Sequence, residues 1–360
     1  MRKPARAVMA GKIQIGGGAP ISVQSMTNTR TEDAAATRAQ IGRLLDAGCD
    51  IVRISVYNQD CLDALPIYRE EFPDLPLVAD IHFDADLALG AIRAGIDKIR
   101  INPGNIGGRE KVHCVARAAK EAGVSIRVGA NAGSLERHVL EEYGRTANAM
   151  AMSALRYVDM LSEVDFHDTV VSLKASDIPL TIEANRLFSQ QSDCPLHLGI
   201  TEAGTVRTGA IRSAVGLGIL LYEGIGDTIR VSLSGDPVQE VIAGREILAS
   251  LGLTREGVTV IACPTCGRTT YDVSGIAAIV EEKTRHIKTP LKVAVMGCAV
   301  NGPGEARDAD IGIAGGQGQA VLFVKGKPVR AIPEERAVAE LMALIGEMAD
   351  GAISSTETGI

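Results

Sequence analysis

The sequence predicts an α/β chain, with an N-terminal (β/α)8 TIM-type barrel over residues 1–254 and a small α+β domain over 255–360. Three observations carry this reading. Short β-branched runs recur about every 30 residues between 21 and 234. Stretches with apolar residues three and four apart separate them, as helices require. After Gly252 that rhythm stops and another begins.

In chain order the runs are 21–27, 51–56, 76–82, 98–103, 125–131, 169–176, 195–201 and 228–234. Eight such β–α units suit a closed barrel better than an open doubly wound sheet, which usually has fewer strands and a phosphate-binding glycine loop after the first. Helix faces are expected at Ile41, Leu44 and Leu45, and at Ala210, Ile211, Ala214, Val215, Leu217 and Gly218. Gly48, Gly95 and Gly123 stand where a left-handed helix C-terminus belongs. The longest connection, 132–148, is the candidate lid. Beyond 252, a strand at 258–262 runs into Cys263, followed by a helix at about 273–287 and strands at 291–297, 310–314 and 320–324. A helix over about 333–349 ends the domain, and Ser354–Ile360 reads as a frayed tail.

Composition narrows the function. With 46% hydrophobic and 22% charged residues the chain is neither disordered, collagen-like nor a coiled coil. Lys and Arg number 26 against 31 Asp and Glu over 1–254, and 11 against 13 beyond, so neither part has the basic excess of a nucleic-acid binder. Tryptophan is absent and aromatics make up 3%, which leaves few surfaces for stacking bases. No apolar run reaches the ~18–20 residues of a membrane span, and Arg2 and Lys3 precede no signal core. Seven cysteines in a chain this long suggest thiols or metal ligands in a reducing, cytoplasmic setting.

The chemistry gathers on the strands. Arg53, Arg100, Arg127 and Arg230 each sit between two β-branched residues, so strand alternation sends the arginine to the opposite face. If those neighbours pack under the helices, the guanidinium points into the barrel. Structural ion pairs with acids such as Asp80 are one reading. The set, with Lys174, nevertheless exceeds the inward acids the sequence offers, and guanidinium forks match phosphate oxygens. A polyphosphorylated small molecule at the C-terminal mouth is therefore expected. Gln24, Ser25, Thr27, His82, Asn102, Asn131, His197, Thr201 and Glu202 lie along or just past the same strands. Glu202 is an acid/base candidate or an arginine partner. Gly107-Gly108 before the fourth helix could receive phosphate, whereas Gly315–Gly318 lacks the Lys-Ser/Thr of a phosphate loop and more simply joins two strands.

Cys263-Pro264-Thr265-Cys266, with Cys298 further on, could hold an iron–sulfur cluster, a zinc ion or a redox dithiol. The domain's one histidine, His286, falls inside the expected helix, which leaves zinc short of a fourth Cys or His ligand. The segment Cys298–Glu305 adds a thiolate and, after a Gly-Pro-Gly turn, a carboxylate. Cys49, Cys61, Cys114 and Cys194 read as packing residues or incidental thiols.

These motifs together resemble the bacterial 4-hydroxy-3-methylbut-2-enyl diphosphate synthase family. The resemblance runs from about residue 10 to 345. It rests on V-Q-S-M-T-N-T-R (23–30), V-A-D-I-H-F (78–83), R-I-N-P-G-N-I-G (100–107), V-S-L-K-A-S-D (171–177), H-L-G-I-T-E-A-G (197–204), I-A-C-P-T-C (261–266) and G-C-A-V-N-G-P-G-E-A (297–306). It implies reductive ring opening and dehydroxylation of 2-C-methyl-D-erythritol 2,4-cyclodiphosphate with two electrons. The resemblance assigns a [4Fe–4S] cluster to Cys263, Cys266, Cys298 and Glu305, with Glu305 leaving its iron for substrate. Arg53, Arg100, Arg127, Lys174 and Arg230, with Asn102, Asn131 and His82, match the family's diphosphate-binding positions, and Glu202 would lie near the reacting carbon; Asp80, Thr201 and Ser232, on the same strands, are further expected substrate contacts. Flavodoxin or ferredoxin would donate electrons, and a homodimer would bring the cluster of one subunit over the barrel of its partner. Val56-Tyr57-Asn58 departs from the family pattern, where a proline would follow the valine. The alternative from another class is a zinc-stabilised barrel aldolase or isomerase for a phosphorylated sugar, with Lys174 forming a Schiff base.

Overall fold

The computed structural model describes residues 2–102, 105–254, 257–269, 271–298, 307–316 and 318–351. It opens with an antiparallel hairpin, β1 (Val8–Ala10) and β2 (Ile13–Ile15), which turns at Gly11. Strands of three residues carry too little pattern to be read from sequence, and the hairpin was not expected. Val8, Ala10 and Ile15 pack with Ile51, Val78 and Val170, so the hairpin seals the floor of the unit that follows.

That unit contains eight parallel strands: β3 (Ser22–Met26), β4 (Ile51–Ser55), β5 (Leu77–Asp80), β6 (Lys98–Ile101), β7 (Ser125–Asn131), β8 (Thr169–Lys174), β9 (His197–Leu198) and β10 (Thr228–Ile229). The helices are α1 (Ala34–Asp46), α2 (Gln59–Glu71), α3 (Ala85–Arg93), α4 (Arg109–Ala122), α5 (Arg137–Tyr143), α6 (Ala147–Ser162), α7 (Ile178–Gln191), α8 (Val206–Tyr222) and α9 (Pro237–Ser250). Sheet order runs from β8 back to β3, then to β10 and β9, and a parallel bridge between Val171 and Leu196 completes the ring. All eight expected strands are present, although β9 and β10 are only two residues long. Past them the chain bends toward the mouth, with Glu202 at φ +52°.

The helices start and stop where local chemistry dictates. Asp33, Asn58, Asp84, Thr146, Asp177 and Asp236 each accept a backbone N–H in the first turn of the helix they precede. Gly48, Gly95 and Gly123 take φ of +89°, +82° and +68° as their helices end, a region that side chains rarely enter. Asn58, in the segment that departs from the family pattern, is the cap of α2, and Tyr57 Oη donates to Glu32 at 2.8 Å.

One face of α8 was misread. Ile211 and Val215 are 60% and 49% exposed, and with Ile219 and Tyr222 they form an outward apolar ridge. Gly209, Ser213, Gly216 and Leu217 face inward instead. A Cβ on Gly216 would come within 2.6 Å of Ile200, so this helix sits too close to the sheet for the bulkier face. The expected lid is also more ordered than a loop. A 3-10 turn (Ala132–Ser134) and α5 occupy it, and Glu136 accepts from Ser153 on α6 at 2.7 Å.

The chain divides into two compact units, Met1–Thr254 and Arg255–Ile360. The second contains β11 (Val258–Ala262), α10 (Val273–Thr284), β12 (Leu291–Met296), β13 (Ile311–Gly316), β14 (Gln319–Val324), β15 (Lys327–Pro333) and α11 (Ala337–Ala349). Its sheet follows chain order, parallel through β13 and antiparallel thereafter. Val273, Ala277 and Val280 of α10 and Leu341 and Ile345 of α11 pack on the sheet with Val293, Val295 and Ile313. The helix expected to reach 287 stops at Thr284, so His286 lies beyond it. Strand β15, almost wholly exposed and carrying two prolines, was not expected. Proline is tolerated there because β15 is the edge strand. Gly315 and Gly316 end β13, where they pair with Ala320 and Gln319 of β14. Among the described residues no helix is long and apolar enough to cross a membrane.

Candidate functional site

The alternation argument holds at each arginine. Val52 and Ile54, Ile99 and Ile101, Ile126 and Val128, and Ile229 and Val231 all belong to the core that the strands share with the helices. Each such side chain contributes roughly 1.5–3 kcal/mol by leaving water, which outweighs any tendency of the strand to turn its arginine outward. Arg53, Arg100, Arg127 and Lys174 are 8%, 6%, 3% and 7% exposed, so this is a desolvated cluster. Register places Asp80 beside Arg100 and Arg100 beside Arg127, while Asn131 pairs with Lys174.

Two carboxylates enter the cluster among the described residues. Asp80 Oδ1 accepts from Arg100 Nη1 at 3.3 Å, and its Oδ2 lies 3.8 Å from Arg53 Nε and 3.3 Å from His82 Nε2. Glu240, on α9, accepts from Arg230 Nε at 3.3 Å, Ser25 Oγ at 2.9 Å and the Leu233 N–H at 3.0 Å. Sequence reasoning missed Glu240. The signal was a lone acid in the buried stripe of Pro237, Val241, Gly244, Ile247 and Leu248. Arg53 also donates to Met26 Sδ, at 2.9 Å from Nη2. Among the described residues no carboxylate forms an ion pair with Arg127 or Lys174, so positive charge remains in excess.

Burial and this charge together perturb Arg53, Arg127, Lys174 and Asp80. Burial lowers Arg53 to about 10, opposed by Asp80 and reinforced by Arg230 and Arg100. Burial, then the neighbouring arginines, pushes Arg127 and Lys174 well below their ordinary values. For Asp80 burial acts upward, but Arg53, His82 and Arg100 prevail and hold it well below the usual carboxylate range. Asp80 thus contributes stability that is complete above its unfolded value of 3.8 and declines progressively as pH falls below it. Asp80→Asn is expected to cost about 3–5 kcal/mol near neutrality, since it leaves two buried guanidinium groups uncompensated. The difference should shrink in strong acid. Denaturant unfolding of both proteins at pH 7 and pH 3 checks this, and equal stability at pH 7 would refute it.

The remaining expected residues are distributed around this cluster. Asn102 is buried just past β6, whereas Asn131, Thr201 and Ser232 are half-buried at the strand ends. His82 lies beyond β5 and is exposed, with its Nε2 2.7 Å from Arg100 Nη1. Glu202 is exposed on the strained turn after β9. Two residues before Thr201, a Cβ on Gly199 would lie 2.5 Å from Lys174 Nζ and 2.7 Å from the Arg230 carbonyl, so glycine makes room for the lysine. Gly108 is the N-cap of α4, at φ +95°.

In the second unit, β11 delivers Cys263 and β12 runs toward Cys298. The Cys263 N–H donates to the Val295 carbonyl at 3.1 Å, and the Gly297 N–H donates to Cys263 Sγ at 3.1 Å. Thr265, between the two cysteines of the motif, is at φ +60°. Cys266 is exposed, and hydrogen bonding from Arg268 lowers its thiol. All three thiols are free, but no three His, Cys, Asp or Glu side chains converge as a metal-holding group among the described residues. Glu305 lies outside the described residues.

Against known proteins, two family models match: the GcpE TIM-barrel domain over residues 5–245 and the GcpE protein C-terminal domain over 259–347. The 4-hydroxy-3-methylbut-2-en-1-yl diphosphate synthase (flavodoxin) of Caldanaerobacter subterraneus subsp. tengcongensis is 56% identical over 349 residues, covering 97% of this chain and 98% of that protein. The protein of the same description from Geobacillus thermodenitrificans is 56% identical over 350 residues, covering 97% and 93%. Among solved structures, Clostridium difficile type I 3-dehydroquinate dehydratase superposes with a TM-score of 0.51 at 16% identity over 69% of this chain and 97% of that one. Yersinia pestis dihydropteroate synthase gives 0.50 at 12%, over 68% and 97%. At such identities these two speak for the barrel alone. With both units matched and more than half of its residues shared over nearly full length, the chain belongs to the GcpE family of 4-hydroxy-3-methylbut-2-en-1-yl diphosphate synthases.

Proposed function

We propose that this chain catalyses the reductive ring opening and dehydroxylation of 2-C-methyl-D-erythritol 2,4-cyclodiphosphate to 4-hydroxy-3-methylbut-2-enyl diphosphate. Its family carries the reading, and the observation in the fold that supports it is the buried cation cluster with Asp80 and Glu240 as its only carboxylates among the described residues. A compact diphosphate supplies the missing negative charge. When the ring C–O bond breaks, charge grows on a diphosphate oxygen, and preorganised guanidinium groups stabilise it without reorganising. Arg53, Arg100, Arg127, Lys174 and Arg230 hold the phosphoryl groups in this reading, with His82, Asn102, Asn131, Thr201 and Ser232 at the rim and Asp80 orienting Arg53 and Arg100. Glu202 approaches the reacting carbon, where its carboxyl can hold or deliver a proton.

The thiol set suits an iron–sulfur group. Cys263 and Cys298 belong to neighbouring strand ends, and a backbone N–H already donates to one sulfur, as is usual for such ligands. Cys263, Cys266 and Cys298, with Glu305 as a labile oxygen ligand, would hold a [4Fe–4S] cluster that supplies electrons singly. We take the donor to be flavodoxin, as the relatives' names say of them. A homodimer completes the reading. Sedimentation of the holoenzyme tests it, and a monomeric mass would refute it.

Anaerobic protein should contain about four iron and four sulfide per chain, and its absorption spectrum should change on adding the cyclic diphosphate. Glu305→Gln should keep iron and sulfide yet lose most turnover. Stoichiometric zinc without sulfide would defeat the reductive reading and favour the zinc-stabilised aldolase instead.

A further inference from the structure

Beneath the arginines lies a polar layer that the reaction, as derived above, does not use. Lys98 is one inward position below Arg100 on β6, between Val78 and Ser125 in register. It is 0% exposed, and its Nζ has no hydrogen-bond partner among the described residues. Both ring nitrogens of His197, the Gln24 amide and the hydroxyls of Ser22, Ser125 and Thr228 are likewise buried and unpartnered. A buried ammonium with neither a carboxylate nor a carbonyl is ordinarily costly enough to be excluded from a core. The β1–β2 hairpin closes the floor with apolar side chains, which leaves the mouth as the side from which an ionic ligand approaches this layer.

We propose that Lys98 is a further positioning residue for the substrate: at pH 8 it takes up a proton when a diphosphate occupies the arginine cluster above it, so that ligand and cation arrive together. The inference rests on the diphosphate reading of the cluster. Burial, then Arg127 and Arg53, lowers Lys98 to about 7, against a partial opposing pull from Asp97. Asp97 is itself engaged by Arg69 and by the Leu77 N–H, at 2.8 Å. His197, which also feels Lys98, is held well below its ordinary value by burial and by Lys174, Arg127, Lys98 and Arg53, so it stays neutral at pH 8. A bound polyanion offsets the repulsion that Arg127 and Arg53 exert on Lys98 and so raises its affinity for a proton. The sign follows from linkage. Near pH 8 the free protein lacks the proton and the complex holds it, so binding weakens as pH rises above about 7, by up to about tenfold per unit for each proton taken up. Well below 7 both states are charged and the dependence disappears.

The test is calorimetric titration of the oxidised holoenzyme, without reductant, with the cyclic diphosphate at pH 8 in HEPES and in Tris. The difference in heat between buffers counts protons, and the ligand's phosphoryl groups are already fully ionised at this pH. Lys174 can contribute to the total, so the deciding quantity is the change on Lys98→Met, expected to be about one proton fewer per site with a correspondingly shallower pH profile of affinity. Lys98→Gln serves if the methionine variant does not fold. Equal uptake in wild type and variant, or none in wild type, would overturn the inference. Absence of binding by wild type would overturn the diphosphate site itself, and the inference with it.

Discussion

Cys263→Ser is expected to yield a folded protein with little iron and turnover below about one per cent of wild type, since ligand loss should exceed the 10–100-fold typical of outer-shell changes. The serine hydroxyl can still accept from Gly297, so the β11–β12 junction has no reason to open. The pairs from Val258 with Leu291 to Ala262 with Val295 hold the two strands together in any case. The check is iron and sulfide per chain beside a thermal unfolding curve. Full iron with full turnover would remove Cys263 from the ligand set. Cys49→Ala is the contrast. That thiol, pushed up to about 12 by burial, behaves as a small core group, and its loss should leave iron and turnover unchanged.

Arg127→Met should have opposite effects on stability and on activity. Arg127 is 3% exposed, has no carboxylate partner among the described residues and feels repulsion from Arg53, Arg100 and Arg230. Replacing it with an apolar side chain of similar length removes both desolvation and repulsion, so the empty protein should gain about 1–4 kcal/mol. Diphosphate affinity and turnover should meanwhile fall by about a hundredfold or more, as expected for a lost bidentate contact of a few kcal/mol. Denaturant unfolding without ligand, together with calorimetric binding, measures the two effects separately. A variant that is both less stable and fully active would show that Arg127 is a structural ion-pair residue after all. Such opposition between stability and function is expected wherever a site is built from like charges awaiting a ligand.

The sequence by itself determined the eight barrel strands and the direction of the four arginines. Each is a local matter. A period of two with β-branched flanks sends Arg53, Arg100, Arg127 and Arg230 inward, whatever the strands pair with. Even Lys98 was within reach, being in phase with Arg100 on the same strand. What only the tertiary structure decided involves groups far apart in the chain. The partition of Asp80 between Arg53 and Arg100 depends on strand register, and the arrival of Glu240 beside Ser25 and Arg230 depends on where α9 docks. The outward ridge of α8 reflects a competition between two apolar faces, won by the one whose glycines allow closer approach to the sheet. Closure of the barrel floor by the β1–β2 hairpin needs its partners Ile51, Val78 and Val170, which lie far along the chain. Burial, and hence the altered ionisation of the cations above that floor, is a property of the assembled layers rather than of any segment, so no local pattern could announce it.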